Sequence, residues 1–135
     1  MVNAAVIGVV EYAISTNEKD VIEARYLSTG SMALGAGVIC RGRAIGDTSN
    51  GFPGDYVISY YGVDGGHVGD FDWHIESIKD GHRLTWRNRE GNALIPVEPS
   101  GLVFEGFGFP NTDRSIVVAY WMVESASEAM IARRE

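Results

Sequence analysis

The chain reads as an all-β protein: about eight antiparallel strands in meander order, closed into a barrel and followed by a short helix. Three observations predict this. Seventeen glycines against four prolines in 135 residues supply many tight turns. Short segments alternate apolar and polar residues with period two, the signature of half-buried strands. The connections between these segments are mostly short. A two-sheet β-sandwich is the alternative packing of the same strands.

From Ala4 to Ile14 both alternating sets are apolar, and the density of Val and Ile favours a strand over a short buried helix. A polar turn, Thr16–Asp20, follows. Ile22–Leu27 puts Ile22, Ala24 and Tyr26 on one side, Glu23 and Arg25 on the other. Residues 28–36, STGSMALGA, form a loop with the apolar Met32 and Leu34. In Gly37–Ile45, Arg41 and Arg43 must face water, which turns Val38, Cys40, Gly42 and Ala44 inward.

After the turn Asp47–Gly54, Asp55–Tyr61 presents Tyr56, Ile58 and Tyr60 on one face. Val63–Gly69 turns the chain. Asp70–Ile78 alternates strictly, with Phe71, Trp73 and Ile75 inward and Asp72, His74 and Glu76 outward. Beyond Asp80-Gly81, Leu84–Asn88 directs Leu84 and Trp86 inward. The longer loop Arg89–Ser100 holds Leu94 and Ile95. Leu102–Phe109 points Leu102, Phe104, Gly106 and Gly108 inward, and Ser115–Val123 is apolar on both faces. The spacing Ser125-Ala-Ser-Glu128 predicts a capped helix over 125–134, with Arg133 and Arg134 suited to its C-terminal dipole.

A weak internal repeat aligns Gly37–Thr48 with Gly101–Thr112, and in both copies the even-numbered positions come out inward. In a meander the connections alternate between the two ends. STGSMALGA, GVDGGHVG and REGNALIPVEPS therefore share one end, and polar turns close the other. Met32, Leu34, Val68, Leu94 and Ile95 then rim a cavity mouth, because exposed apolar loop residues cost solubility unless they cover something. Inside, Tyr26, Tyr56, Tyr60, Phe71, Trp73, Trp86, Phe104 and Tyr120 form an aromatic lining. The small Gly42, Ala44, Gly106 and Gly108 leave space beside them. These features predict an interior for a small, largely apolar ligand, with His67 as a polar residue at the mouth. A core packed full is the alternative.

Composition narrows the classes. An apolar share of 45% with 21% charged residues marks a globular chain, read here as one domain over 1–135. A net charge of −7 argues against a nucleic-acid binder. No segment approaches the roughly 18 apolar residues of a membrane span. The single cysteine, Cys40, demands no oxidising compartment, so a soluble cytoplasmic protein is expected.

The pattern G-x-Y-x-I-x-Y … G-x-F-x-W-x-I … L-x-W … E-G-x-G over Gly54–Gly108 resembles small bacterial lipocalin-like, calycin-type barrels. The G-x-W that lipocalins carry near their first strand has no counterpart here. The resemblance implies a barrel whose interior takes an apolar small molecule, and it carries over no catalytic residue. Barrels of the allene-oxide-cyclase type look similar at this level, which keeps a cofactor-free cyclase or isomerase open as a second function.

Asp72, His74 and Glu76 are the densest ionisable set, but they compete with Phe71, Trp73 and Ile75 for the interior and read as a solvated outer face. His67, His74 and His82 have no metal-ligand spacing, and no cofactor is expected. Cys40 reads as a buried, inert thiol. Glycine-rich nucleotide motifs are absent. Val103, Phe107, Phe109, Val117 and Trp121 share the outside of the last two strands, and an apolar cluster with a Trp predicts a homodimer through that face. A dimeric interaction module with a filled core is the third functional reading.

Overall fold

A computed structural model describes residues 6–35, 37–92 and 95–134. Eight strands, β1 (Ile7–Ile14), β2 (Val21–Ser28), β3 (Cys40–Gly46), β4 (Gly54–Tyr61), β5 (His67–Ile78), β6 (Gly81–Asn88), β7 (Leu102–Thr112) and β8 (Ser115–Met122), form a closed antiparallel barrel in sequence order. Helix α1 (Thr29–Gly35) lies between β2 and β3, and α2 (Glu124–Arg134) follows β8 and packs on β7. The predicted meander barrel is therefore the architecture, and the sandwich is not.

The parity rule works because a charged residue cannot face a closed barrel's interior. Ile22, Ala24, Cys40, Ala44, Tyr56, Ile58, Phe71, Trp73, Ile75, Leu84 and Trp86 are all buried. Val10, Tyr12, Ile116 and Val118 complete the core from β1 and β8, whose mutual pairing of Ile7 with Trp121 through Ala13 with Ser115 closes the ring.

Several inner glycines lie against aromatic rings. Gly42 pairs with Tyr60, Gly46 with Tyr56, and Gly8 and Gly106 both with Tyr120. A Cβ on Gly42 would come within 2.9 Å of the Tyr60 ring, and one on Gly46 within 2.5 Å of Tyr56. The space that Gly42 was expected to leave open is thus filled by the Tyr60 ring, and that beside Gly106 by the Ala119 carbonyl and Tyr120 Cβ.

Four local expectations are corrected. STGSMALGA is not a loop: Ser28 caps α1, its Oγ accepting from the Ser31 amide at 3.0 Å while the Ser31 Oγ accepts from the Ser28 amide at 2.9 Å. This is capping-box chemistry with Ser in place of Glu at the third helical position. Val38 is not inward but 44% exposed, because β3 begins only at Cys40. The register shifts between Trp86 and Arg87, so that Trp86 faces Phe104 but Arg87 faces Leu102. That extra residue in β7 reverses the parity on one side of it. Leu102 lies among Asp72 and Arg87 outside, and Val103, expected outside, is completely buried. Finally, α2 starts at Glu124, which leaves Ser125 within its first turn instead of capping it.

Candidate functional site

The barrel interior has two halves. At the end with the tight turns it is solid. Phe52, from the β3–β4 connection, plugs that end against the His82 ring, with centroids 5.9 Å apart, and the Tyr56 hydroxyl donates to the Phe52 carbonyl at 2.8 Å. Above this plug Trp73 sits between Tyr12, at 4.6 Å between ring centroids, and Tyr56, at 5.3 Å.

The other half is hollow. A cavity of about 300 Å³ is bounded below by Trp86 and around its wall by Tyr26, Tyr60, Phe71, Phe104 and Tyr120. Val63, Val68 and Ile95 from the β4–β5 and β6–β7 connections, Val6, and Gly30 and Ser31 of α1 line it toward the open end. The aromatic wall is self-supporting. Tyr26 meets Tyr60 edge-on at 5.3 Å, Phe71 meets Phe104 at 5.7 Å, and Phe104 meets Tyr120 at 5.8 Å. Among the described residues no charged side chain lines this cavity.

Of the residues expected around a ligand, Tyr26, Tyr60, Phe71, Trp86, Phe104 and Tyr120 are brought together here. Tyr56 and Trp73 belong instead to the solid half. His67 turns away from the cavity: it is exposed, its Nε2 lies 2.7 Å from Asp70 Oδ1, and its ring rests beside Tyr61. Among the expected rim residues, Val68 and Ile95 line the cavity and Met32 is exposed. Leu94 lies outside the described residues, as does the side chain of Leu34.

Hydroxyl groups supply the polarity. Tyr60 Oη lies 2.8 Å from Tyr12 Oη and accepts from Trp86 Nε1 at 2.7 Å. Tyr26 donates to the Tyr61 carbonyl at 2.8 Å. Burial pushes the Tyr60 phenol up against the opposing hydrogen bonds from Tyr12 and Trp86. Burial also raises Tyr12, which its neighbour Tyr60 pushes further, and raises Tyr26. Tyr120 is pushed up to about 12 by burial, with the Ser28 hydroxyl acting in the opposite direction.

Two contributors have signals in the sequence that the alternation alone did not expose. Tyr12 is 1% exposed and carries the phenol that meets Tyr60; Glu11 beside it faces out to Arg25, which fixes its parity. Asn88 continues the inward series Leu84, Trp86 and is buried. Its Nδ2 donates to the Val97 carbonyl at 2.5 Å and its Oδ1 accepts from Asn92 at 2.9 Å. Asn92 in turn accepts from the Asp70 amide. This network anchors the β6–β7 connection that carries Ile95 to the cavity, as a buried amide in a strand must be satisfied by something.

The outward carboxylates do not form one site. Asp72 pairs with Arg89 at 2.5 Å, His74 with Asp55 at 2.7 Å and Glu76 with Arg83 at 3.3 Å. Among the described residues no three His, Cys, Asp or Glu side chains converge as metal ligands. Cys40 is buried with its Sγ 3.9 Å from the Val38 carbonyl.

The fold and its interior define a class: a closed eight-stranded antiparallel barrel, solid at one end and holding an uncharged aromatic cavity at the other. Comparison with protein-family models, curated proteins and solved structures finds no match to this chain. Among the described residues no helix is long and apolar enough to cross a membrane.

Proposed function

We propose that this barrel binds a small, largely apolar molecule in the aromatic cavity. The observation that carries the reading is the cavity itself: about 300 Å³, at the end bearing apolar connections, with six aromatic side chains around it. That volume is at the small end of ligand sites, and an aromatic wall with a few polar tips is their usual composition. The reading agrees with what the resemblance of Gly54–Gly108 to lipocalin-like barrels implies. A neutral fluorescent probe such as N-phenyl-1-naphthylamine tests it. Saturable binding at one site per chain is expected, lost on Phe104→Trp while the unfolding midpoint holds. Absence of saturable binding by the intact barrel would count against it.

The cyclase or isomerase reading uses the same cavity and is the weaker of the two. A general base works best with a pKa near the operating pH. The ionisable groups among the described lining residues are phenols, and burial raises Tyr26, Tyr60 and Tyr120 further from neutrality. The filled-core interaction module has support only in the solid half of the barrel.

We also propose that two copies associate through the outer face of β7, β8 and β1, as a soluble protein of a reducing, cytoplasmic compartment. Phe107 and Phe109 are 47% and 61% exposed, and Phe107 rests on Trp121 with centroids 5.9 Å apart. The register pairs Phe109 with half-buried Val117 and carries the patch across Ala119 to exposed Val9 and across Trp121 to exposed Ile7. Val103 is excluded from it by its burial. Phe107→Glu should convert a dimer to a monomer in sedimentation equilibrium; an unmodified protein that sediments as a monomer at high concentration refutes the association.

A further inference from the structure

The floor of the cavity contains a hydroxyl whose proton has no acceptor. A tyrosine oxygen can donate one hydrogen bond and accept two. Among the described residues Tyr12 Oη has a single partner, Tyr60 Oη at 2.8 Å. Tyr12 is buried and does not line the cavity, so no solvent reaches it. If Tyr60 donated in this pair, the Tyr12 proton would be orphaned in the core, a costly state. Tyr12 therefore donates and Tyr60 accepts.

Tyr60 also accepts from the Trp86 indole, at 2.7 Å. Both its acceptor positions are then filled, and its own proton remains. The neighbouring phenol does not take that proton: Tyr26 bonds the Tyr61 carbonyl at 2.8 Å, and among the described residues no hydrogen bond joins its hydroxyl to Tyr60, whose ring it meets edge-on. With no other described partner, the free donor is left to the cavity that Tyr60 lines. Two accepted hydrogen bonds polarise the oxygen and make this donor stronger. The direction of the effects on the Tyr60 phenol, burial upward and the Tyr12 and Trp86 bonds downward, agrees with this donor assignment.

Charge decides the chemical class of the acceptor. A carboxylate buried in apolar surroundings needs a cationic partner. The described lining residues include no Lys, Arg or His. The polar groups nearer the mouth, Ser28 and Ser31, are neutral hydroxyls engaged largely with each other.

Resting on the binding reading above, we infer that the ligand is a neutral molecule whose leading end carries a carbonyl-type acceptor, received by the Tyr60 hydroxyl at the floor of an otherwise apolar cavity. The Tyr12–Tyr60–Trp86 group is a fixed donor that selects one end of the ligand. The apolar remainder of the molecule contacts Phe71, Phe104 and Tyr120.

Camphor and its hydrocarbon counterpart camphane, matched in shape and differing in one carbonyl, test the inference. Binding is read by quenching of tryptophan fluorescence, since Trp86 lines the cavity. The intact protein should hold camphor about tenfold more tightly than camphane, the worth of one net hydrogen bond. Tyr60→Phe should abolish that ratio while retaining affinity for camphane. The infrared carbonyl band of camphor bound to the unmodified protein should lie below its position in hexane, a readout that does not depend on the variant's folding. Equal affinities for the two probes, an unshifted carbonyl band, or a ketone preference that survives Tyr60→Phe each overturns the acceptor assignment and leaves the binding reading standing. Failure of the folded protein to bind either probe overturns both.

Discussion

Two glycine-to-alanine substitutions at the same tyrosine should behave in opposite ways. Gly8 and Gly106 flank Tyr120 on the two strands that pair with β8. A methyl on Gly106 would meet the Ala119 carbonyl oxygen at 2.5 Å and Tyr120 Cβ at 3.1 Å. Backbone C–H···O contacts settle at about 3.3–3.6 Å, so β7 and β8 must separate by nearly an ångström. Overpacking of this kind costs about 1–3 kcal/mol. At this chain length that lowers Tm by roughly 3–5 °C per kcal/mol. A methyl on Gly8 overlaps only the far end of the Tyr120 ring, which can swing toward the hollow half. Its stability cost is offset by the reduced freedom of the unfolded chain, worth about 0.4–1 kcal/mol. Urea unfolding followed by tryptophan fluorescence, with unchanged m, should give Gly106→Ala a loss near 2 kcal/mol and Gly8→Ala a change within about 1 kcal/mol. The Gly8 variant should also bind the apolar probe less well, because Tyr120 occupies part of the cavity. If Gly8→Ala proves the more damaging, the reasoning that backbone contacts resist and ring ends yield is wrong.

Three further outcomes follow from particular contacts. Burial lowers the His82 pKa, and its Nδ1 has no partner among the described residues, so the folded barrel resists protonation that the unfolded chain accepts near pH 6.5. His82 therefore supports stability fully above that pH, and the support is lost as pH falls; His82→Gln should flatten the stability slope between about pH 7 and 5. Burial raises Tyr12, Tyr26, Tyr56, Tyr60 and Tyr120, with Tyr56 and Tyr120 near 12. Stability should hold below the unfolded phenol value of about 10 and fall as pH rises beyond it. Absorbance at the phenolate band should then rise mainly with unfolding, and these phenols ionising near pH 10 in a barrel of native circular dichroism would falsify their burial. Val103→Ala should cost about 1–3 kcal/mol, whereas Phe109→Ala on the same strand should stay within about 0.5 kcal/mol in dilute solution, since one is 0% and the other 61% exposed. Similar costs at the two positions would restore the uniform alternation that the β-bulge is said to break.

The barrel was legible because charge polices parity. Arg41 and Arg43 alone orient β3, and Asp72, His74 and Glu76 orient β5. Tyr26, Phe71 and Trp86 followed from that rule, whereas β8, apolar on both faces, offers no charge to orient Tyr120. The same rule applied to Glu11 would have turned Tyr12 inward, but the apolar residues on both faces of β1 obscured it. The bulge at Leu102–Val103 was illegible for a different reason: both residues are apolar, so no charge fixes which of them turns inward at the register shift. Helix α1 has a legible cue in Ser28-x-x-Ser31, but Gly30 and Gly35 are weak helix formers and mask it. The split into a solid and a hollow half could not be read, because it depends on ring orientation: Tyr56 points to Phe52 and Tyr60 to Tyr12, although both occupy inward positions of β4.

The seam between β1 and β8 sets the order in which this molecule can form. Every other strand pair joins neighbours in the chain, whereas the seam brings together residues such as Ile14 and Arg114, 100 positions apart. Local hairpins can therefore assemble early, while the ring waits for the whole chain. Until then β1 and the growing end of the sheet are open edges, and β8, apolar on both faces, is the strand most prone to pair with the wrong partner. A nascent chain still lacking Ser115–Met122 has no way to satisfy the edge of β1 within itself. Aggregation during synthesis should thus depend on how quickly that last strand is delivered, and much less on the stability of the finished barrel.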